Sequence, residues 1–100
     1  MYKLVGLLKR PDGMAMDDFR EWWLNVHAPK VKKWPGLKKY SVNLCTTDDQ
    51  RFDGMAEVWF EKKADMDAVF STNEGQYARN GATDGSSEIY ILLTEEHAIV

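Results

Sequence analysis

Residues 19–40 read FREWWLNVHAPKVKKWPGLKKY. This stretch holds three of the chain's four tryptophans, one of its two histidines and two of its three prolines. Phe19, Trp22, Trp23 and Val26 fall at i, i+3, i+4 and i+7, which marks one apolar face of a helix. On the same wheel His27 lies about 80° from Phe19, at the edge of the stripe. Pro29 lacks an N–H and crowds the Asn25 carbonyl, so the helix is expected to kink or end near Ala28. An unbroken helix would also bring Lys30 to about 20° from Phe19, into the core, so the phase is expected to change at the proline. Large aromatics beside a titratable ring at a helix end suggest a small-molecule site.

Upstream, Tyr2–Lys9 is an apolar run of strand length closed by Pro11, Asp12 and Gly13. Asp17 and Asp18 suit the first turn of the helix, where its dipole favours negative charge. Ala15, at the N-cap, has no side-chain oxygen to offer. Downstream, Pro35-Gly36 signals a turn. Leu37–Thr46 alternates as a strand, with Tyr40, Val42 and Leu44 on one face and Ser41, Asn43 and Cys45 on the other. The polar, Asp-rich 46–54 segment reads as a hairpin loop. Met55–Glu61 alternates again, with Ala56, Val58 and Phe60 opposite Met55, Glu57 and Trp59.

A second helix is expected from near Ala64, burying Met66, Val69 and Phe70 and interrupted at Asn73–Gly75. Gln76–Asn80 adds a turn or two before a Gly81–Ser87 loop. Glu88–Thr94 is the last strand. The order β-α-β-β-α-β is the ferredoxin-like split βαβ pattern: an α+β fold with a four-stranded antiparallel sheet and both helices on one face.

One hundred residues with 44% hydrophobic and 29% charged positions describe a single folded domain, residues 1–100. The net charge of −3 argues against nucleic acid. No apolar run has bilayer-spanning length, which argues against a membrane partner. A lone cysteine, Cys45, excludes an internal disulfide and fits a cytoplasmic setting. Two histidines far apart give no metal spacing, and no Gly-rich phosphate loop is present. The expected cofactor is none. The sheet face without helices, carrying Glu57 and Trp59, is too apolar for water, so a homodimer with two sheets face to face is expected. A barrel closed in this way would hold a mostly apolar cleft.

The segments GLLKRPDGM (6–14), FREWWLNVHAP (19–29), PGLKKY (35–40), FDGMAEVWF (52–60) and TEEHAIV (94–100) resemble the EthD family of the dimeric α+β barrel superfamily. The resemblance implies that fold and a dimeric barrel. EthD-like proteins are implicated in the breakdown of ethers and related xenobiotics. Similar barrels include methylmuconolactone methylisomerases, which work without a cofactor, and a pocket histidine at the position of His27 is proposed to move protons in them. This chain departs from the family at Ala15, where Ser is usual, and at Lys30, where Leu is usual.

On this reading His27, Glu57 and Tyr40 are the candidate catalytic residues. An imidazole can take and return a proton unaided. Glu57, buried in a barrel, would have a raised pKa; the competing reading is an interface salt bridge with the other chain's lysine. Tyr40 could donate to a substrate carbonyl, with Asn43 the inward residue if the strand has the opposite phase. Trp59, Trp23, Asn43 and Lys30 are the candidate binding residues, although Trp22, Trp23 and Trp34 also read as plain core. His97 reads as surface or dimer contact. Three functions stay open: a cofactor-independent, isomerase-type enzyme on a small hydrophobic metabolite; a non-catalytic binding protein of a degradation pathway; and a haem-binding barrel with His27 as axial ligand.

Overall fold

The computed structural model describes residues 1–100. Strands β1 (Tyr2–Lys9), β2 (Leu37–Leu44), β3 (Gly54–Phe60) and β4 (Glu88–Glu95) form one antiparallel sheet in the order β2-β3-β1-β4. The helices cover one face, so the chain has the α+β, ferredoxin-like fold that the alternation predicts. In register, Leu4 faces Val58 and Gly6 faces Ala56, while Val5 faces Glu57 and Lys3 faces Trp59. Strand periodicity sends the first set to the helices and the second to the open face.

The helix of the quoted stretch is not one regular α-helix. It runs as α1 (Met16–Trp22), a π-helical turn (Trp23–His27) and α2 (Ala28–Val31). Ala15 caps α1 with no side-chain hydrogen bond. In the π turn the Ala28 N–H bonds to the Trp23 carbonyl, five residues back. One added residue rotates everything downstream by about 100°. The buried positions are therefore Phe19, Trp23, His27 and Val31, while Val26 is about half exposed. The phase change expected at Pro29 occurs one turn earlier, and the helix continues through the proline. Lys30 is turned out of the core and Val31 into it.

The second helical region also differs from expectation. It comprises α3 (Lys63–Ala68), a 3-10 turn (Val69–Ser71) and α4 (Asn73–Gly85). The break falls at Thr72, whose Oγ1 accepts from the Gly75 N–H at 3.0 Å and caps a new helix. Residues 73–75 begin that helix rather than interrupt one, and Gly81–Gly85 are helical rather than loop. The glycines there leave room for neighbours. A Cβ at Gly85 would overlap the Trp22 indole, and one at Gly81 would lie 2.7 Å from Lys30 Nζ.

Two clusters make up the core. One joins Leu4, Val31, Trp34, Val58, Phe60, Met66, Val69 and Ala78. The other joins Leu8, Phe19, Trp23, Ala56 and Ala82. Tyr40 and Val42 pack on the helix side. Gly6 lies between Leu4 and Leu8 on the helix-facing side of β1, and its missing side chain leaves the sheet bare at the seam between the clusters.

Candidate functional site

At that seam is an apolar cavity of about 30 Å³ between the helix layer and the sheet. Its floor is Leu4, Gly6, Leu8, Ala56, Val58, Ile89 and Ile91. His27, Val31 and Trp34 wall one side, and Phe70, Ala78, Arg79 and Ala82 close it from the second helical region. The π turn brings His27 here, since a regular helix would leave it at the edge of the stripe.

His27 is 6% exposed, and its Nδ1 is buried without a hydrogen-bond partner. Leaving such a group unpaired typically costs about 1–3 kcal/mol. Burial, and then the charge of Lys30, push its pKa down to about 4. The imidazole is therefore neutral at pH 7. Trp22 stacks on it with centroids 5.1 Å apart, and Trp23 meets it edge-on at 6.5 Å. Lys30 does not enter the cavity; its Nζ lies 4.8 Å from the Tyr77 ring centroid. Trp34 Nε1 is the other buried side-chain polar atom without a partner.

Tyr40 shares the helix side with His27 but is committed elsewhere, its hydroxyl accepting from Trp23 Nε1 at 3.4 Å. Burial raises its pKa, against the lowering effect of that bond. Trp23 is fully buried core.

Glu57, Asn43 and Trp59 lie on the open sheet face, so the sheet separates them from His27. Lys3 Nζ donates to Glu57 Oε2 at 2.9 Å and bridges to Glu96 at 2.8 Å, and Asn43 Nδ2 donates to Glu57 Oε1 at 2.9 Å. The Lys3 hydrogen bond holds the Glu57 carboxyl below the usual carboxylate range, with Asn43 adding to the effect against desolvation. This corrects the raised pKa expected from sequence, and the pairing lysine belongs to the same chain. Trp59 Nε1 donates to Glu96 at 2.9 Å, and Lys3 and Lys39 sit 4.9 and 4.6 Å from its ring centroid.

Cys45 donates to the Phe52 carbonyl, and burial, then Asp53, raise its pKa, so it is not an activated thiolate. His97 is exposed beside Glu95 at 2.6 Å. No three His, Cys, Asp or Glu side chains are grouped to hold a metal ion. A haem needs room for a macrocycle beside His27, and a cavity of about 30 Å³ does not fit it.

Gly6 and Arg79 line the cavity but do not stand out in the sequence as candidates, and Trp34 reads there as core. Gly6 carried a signal, as a side-chain gap in an otherwise bulky strand. Arg79 did not, because its helix was read as ending at Asn80.

A family model described as the EthD domain matches residues 11–86. An uncharacterized 11.0 kDa protein in the thcB-thcC intergenic region of Rhodococcus erythropolis is 27% identical over 104 residues, covering 100% of this chain and 99% of that protein. The crystal structure of an ethyl tert-butyl ether d (ethd) family protein from Bacillus halodurans matches with a TM-score of 0.85 at 25% identity, over 97% of this chain and 99% of that one. A dimeric ferredoxin-like protein of unknown function from Thermobifida fusca matches with a TM-score of 0.73 at 12% identity, over 93% and 88%. No helix is long and apolar enough to cross a membrane.

Proposed function

The chain belongs to the EthD family, and we propose that it binds a small hydrophobic metabolite in the cavity beside His27, where the imidazole moves a proton on the bound molecule without a cofactor. The unpartnered Nδ1 of His27 in an apolar wall carries this reading. Such a cavity holds an apolar group well and rewards a ligand atom that pairs with the orphaned nitrogen.

The neutral ring offers one accepting and one donating nitrogen. A base whose conjugate acid has a pKa of about 4 removes only an already acidic proton. That favours an enol, a phenol or the position next to an activated carbonyl, and hence isomerase-type chemistry. Trp34 Nε1, also unpartnered, can donate to such an oxygen. With about 30 Å³ free, the cavity takes the reacting end of the ligand, and the rest lies by Phe70 and Arg79, where the lining reaches the surface at the exposed Arg79.

One observation favours the second reading, binding without turnover: the sheet keeps Glu57 away from His27, which leaves the cavity without a carboxylate partner. In either case we infer a role in degradation of xenobiotic or aromatic compounds, following the family resemblance, and a cytoplasmic setting, following the lone cysteine. The open sheet face is the surface we expect to pair with a second copy of the chain; the Thermobifida fusca protein of the same fold is described as dimeric.

Mass spectrometry of molecules retained by the purified protein, compared with His27→Gln, tests the site. A small apolar compound held by the wild type and lost or depleted in the folded variant supports it. Conversion of that compound by the wild type alone separates enzyme from binding protein. A compound retained equally by both removes His27 from the site.

A further inference from the structure

The cavity's mouth carries a charge that nothing in the chain answers. Of the four arginines, Arg10, Arg20 and Arg51 each pair with a carboxylate. Arg79 pairs with none, and its guanidinium makes no hydrogen bond within the chain. It lies 4.9 Å from the Phe70 ring centroid, and both residues line the cavity.

Its place on α4 gives the site a direction. Ala78 and Ala82 are buried toward the sheet. Tyr77 and Gly81, one turn apart, flank them on the side that meets Lys30. Arg79 is about 200° around the helix from Tyr77, on the other flank. Lys30 therefore belongs to the His27 end, and Arg79 stands alone at the opposite end. The guanidinium lies against the Phe70 ring and its forked donors have no partner in the chain, so they are free to take a carboxylate.

Resting on the cavity reading above, we propose that the ligand is a slender apolar molecule with one terminal carboxylate, held by Arg79 at the mouth while its other end reaches His27. Hexanoate and hexanamide are matched probes, alike in shape and differing in charge. Binding read by tryptophan fluorescence is expected to favour hexanoate by about tenfold or more, as a charge-assisted bond outweighs a neutral one. Arg79→Gln, at an exposed helix position, is expected to abolish the preference, weakening hexanoate far more than hexanamide. Arg79→Lys is expected to restore part of it. Gly6→Ala, which adds a methyl to the cavity floor, is expected to weaken both probes.

Equal affinity of the wild type for the two probes, or a preference that survives Arg79→Gln, overturns the carboxylate assignment. If Gly6→Ala still weakens both probes in that case, the cavity reading stands without it. Failure of both probes to bind, or binding indifferent to Gly6→Ala, overturns both.

Discussion

Trp22 lies face to face with His27, with centroids 5.1 Å apart and planes 9° from parallel. The Cε2, Cζ2 and Nε1 atoms of the indole rest where Gly85 has no side chain. His27 is thus held by a tryptophan that a glycine on another helix makes room for. Gly85→Ala should push the indole off its seat and cost about 1–3 kcal/mol in urea unfolding, as overpacking does. Gly81→Ala meets only the flexible end of Lys30 and should be neutral, or stabilising by up to about 1 kcal/mol from helix propensity. Equal costs at the two positions would contradict the packing described.

The buried imidazole makes stability depend on pH. The His27 pKa falls from 6.5 in the unfolded chain to about 4 in the folded one, through burial first and Lys30 second. Between those values the unfolded chain binds the proton more readily, so stability is full above about pH 6.5 and is lost as pH falls toward 4. The difference corresponds to about 3 kcal/mol. Urea titrations at pH 7 and pH 4.5 should show a loss in the wild type that is markedly smaller in His27→Gln. Parallel losses in both proteins would show that other groups carry the acid sensitivity.

Gly6 separates stability from function. A Cβ there would lie 3.7 Å from the Ala56 Cβ and 3.8 Å from a Leu8 methyl, both ordinary contacts. Gly6→Ala should raise stability by about 0.5–1 kcal/mol through the lost flexibility of glycine in a strand. The same variant should lose retained ligand. A more stable protein with unchanged ligand retention would place the ligand elsewhere.

The strands were legible because period-two alternation needs no tertiary information. Leu4 and Leu8, or Ala56 and Val58, could be assigned to one face with their neighbours on the other. The face of Tyr40 was not legible. Its strand alternates polar and apolar residues, but only the register with β3, which sets Tyr40 opposite Val58, shows that it joins the helix side and that Asn43 joins Glu57. The helices were harder. A wheel drawn at 3.6 residues per turn buries Val26 and leaves His27 at the edge, and the π turn reverses this. The glycines of α4 read as a loop because the indole and ammonium that occupy their missing side chains come from another part of the chain.

The open face should carry the dimer. Leu92 and Tyr90 are each 54% exposed on it, beside the Lys3, Glu57 and Trp59 cluster. Light scattering at micromolar concentration should return about twice the chain mass of 11.5 kDa. Leu92→Glu should shift the population to monomer without unfolding it, because that side chain packs little within the chain. Trp59→Ala should weaken the dimer as well. A wild-type mass near 11.5 kDa would leave the open face unpaired.

The two faces of the sheet carry separate natural reporters, so the side on which a ligand binds can be read directly. The Trp34 indole and the His27 ring line the cavity, while the Trp59 indole lies on the open face. Nitrogen-15 NMR of the indole and imidazole groups during titration with neutral hexanamide reads both at once. The His27 Nδ1 and Trp34 Nε1 signals should move most, and Trp59 Nε1 should stay in place. Movement of Trp59 Nε1 with His27 unchanged would contradict this and put the ligand site between the sheets.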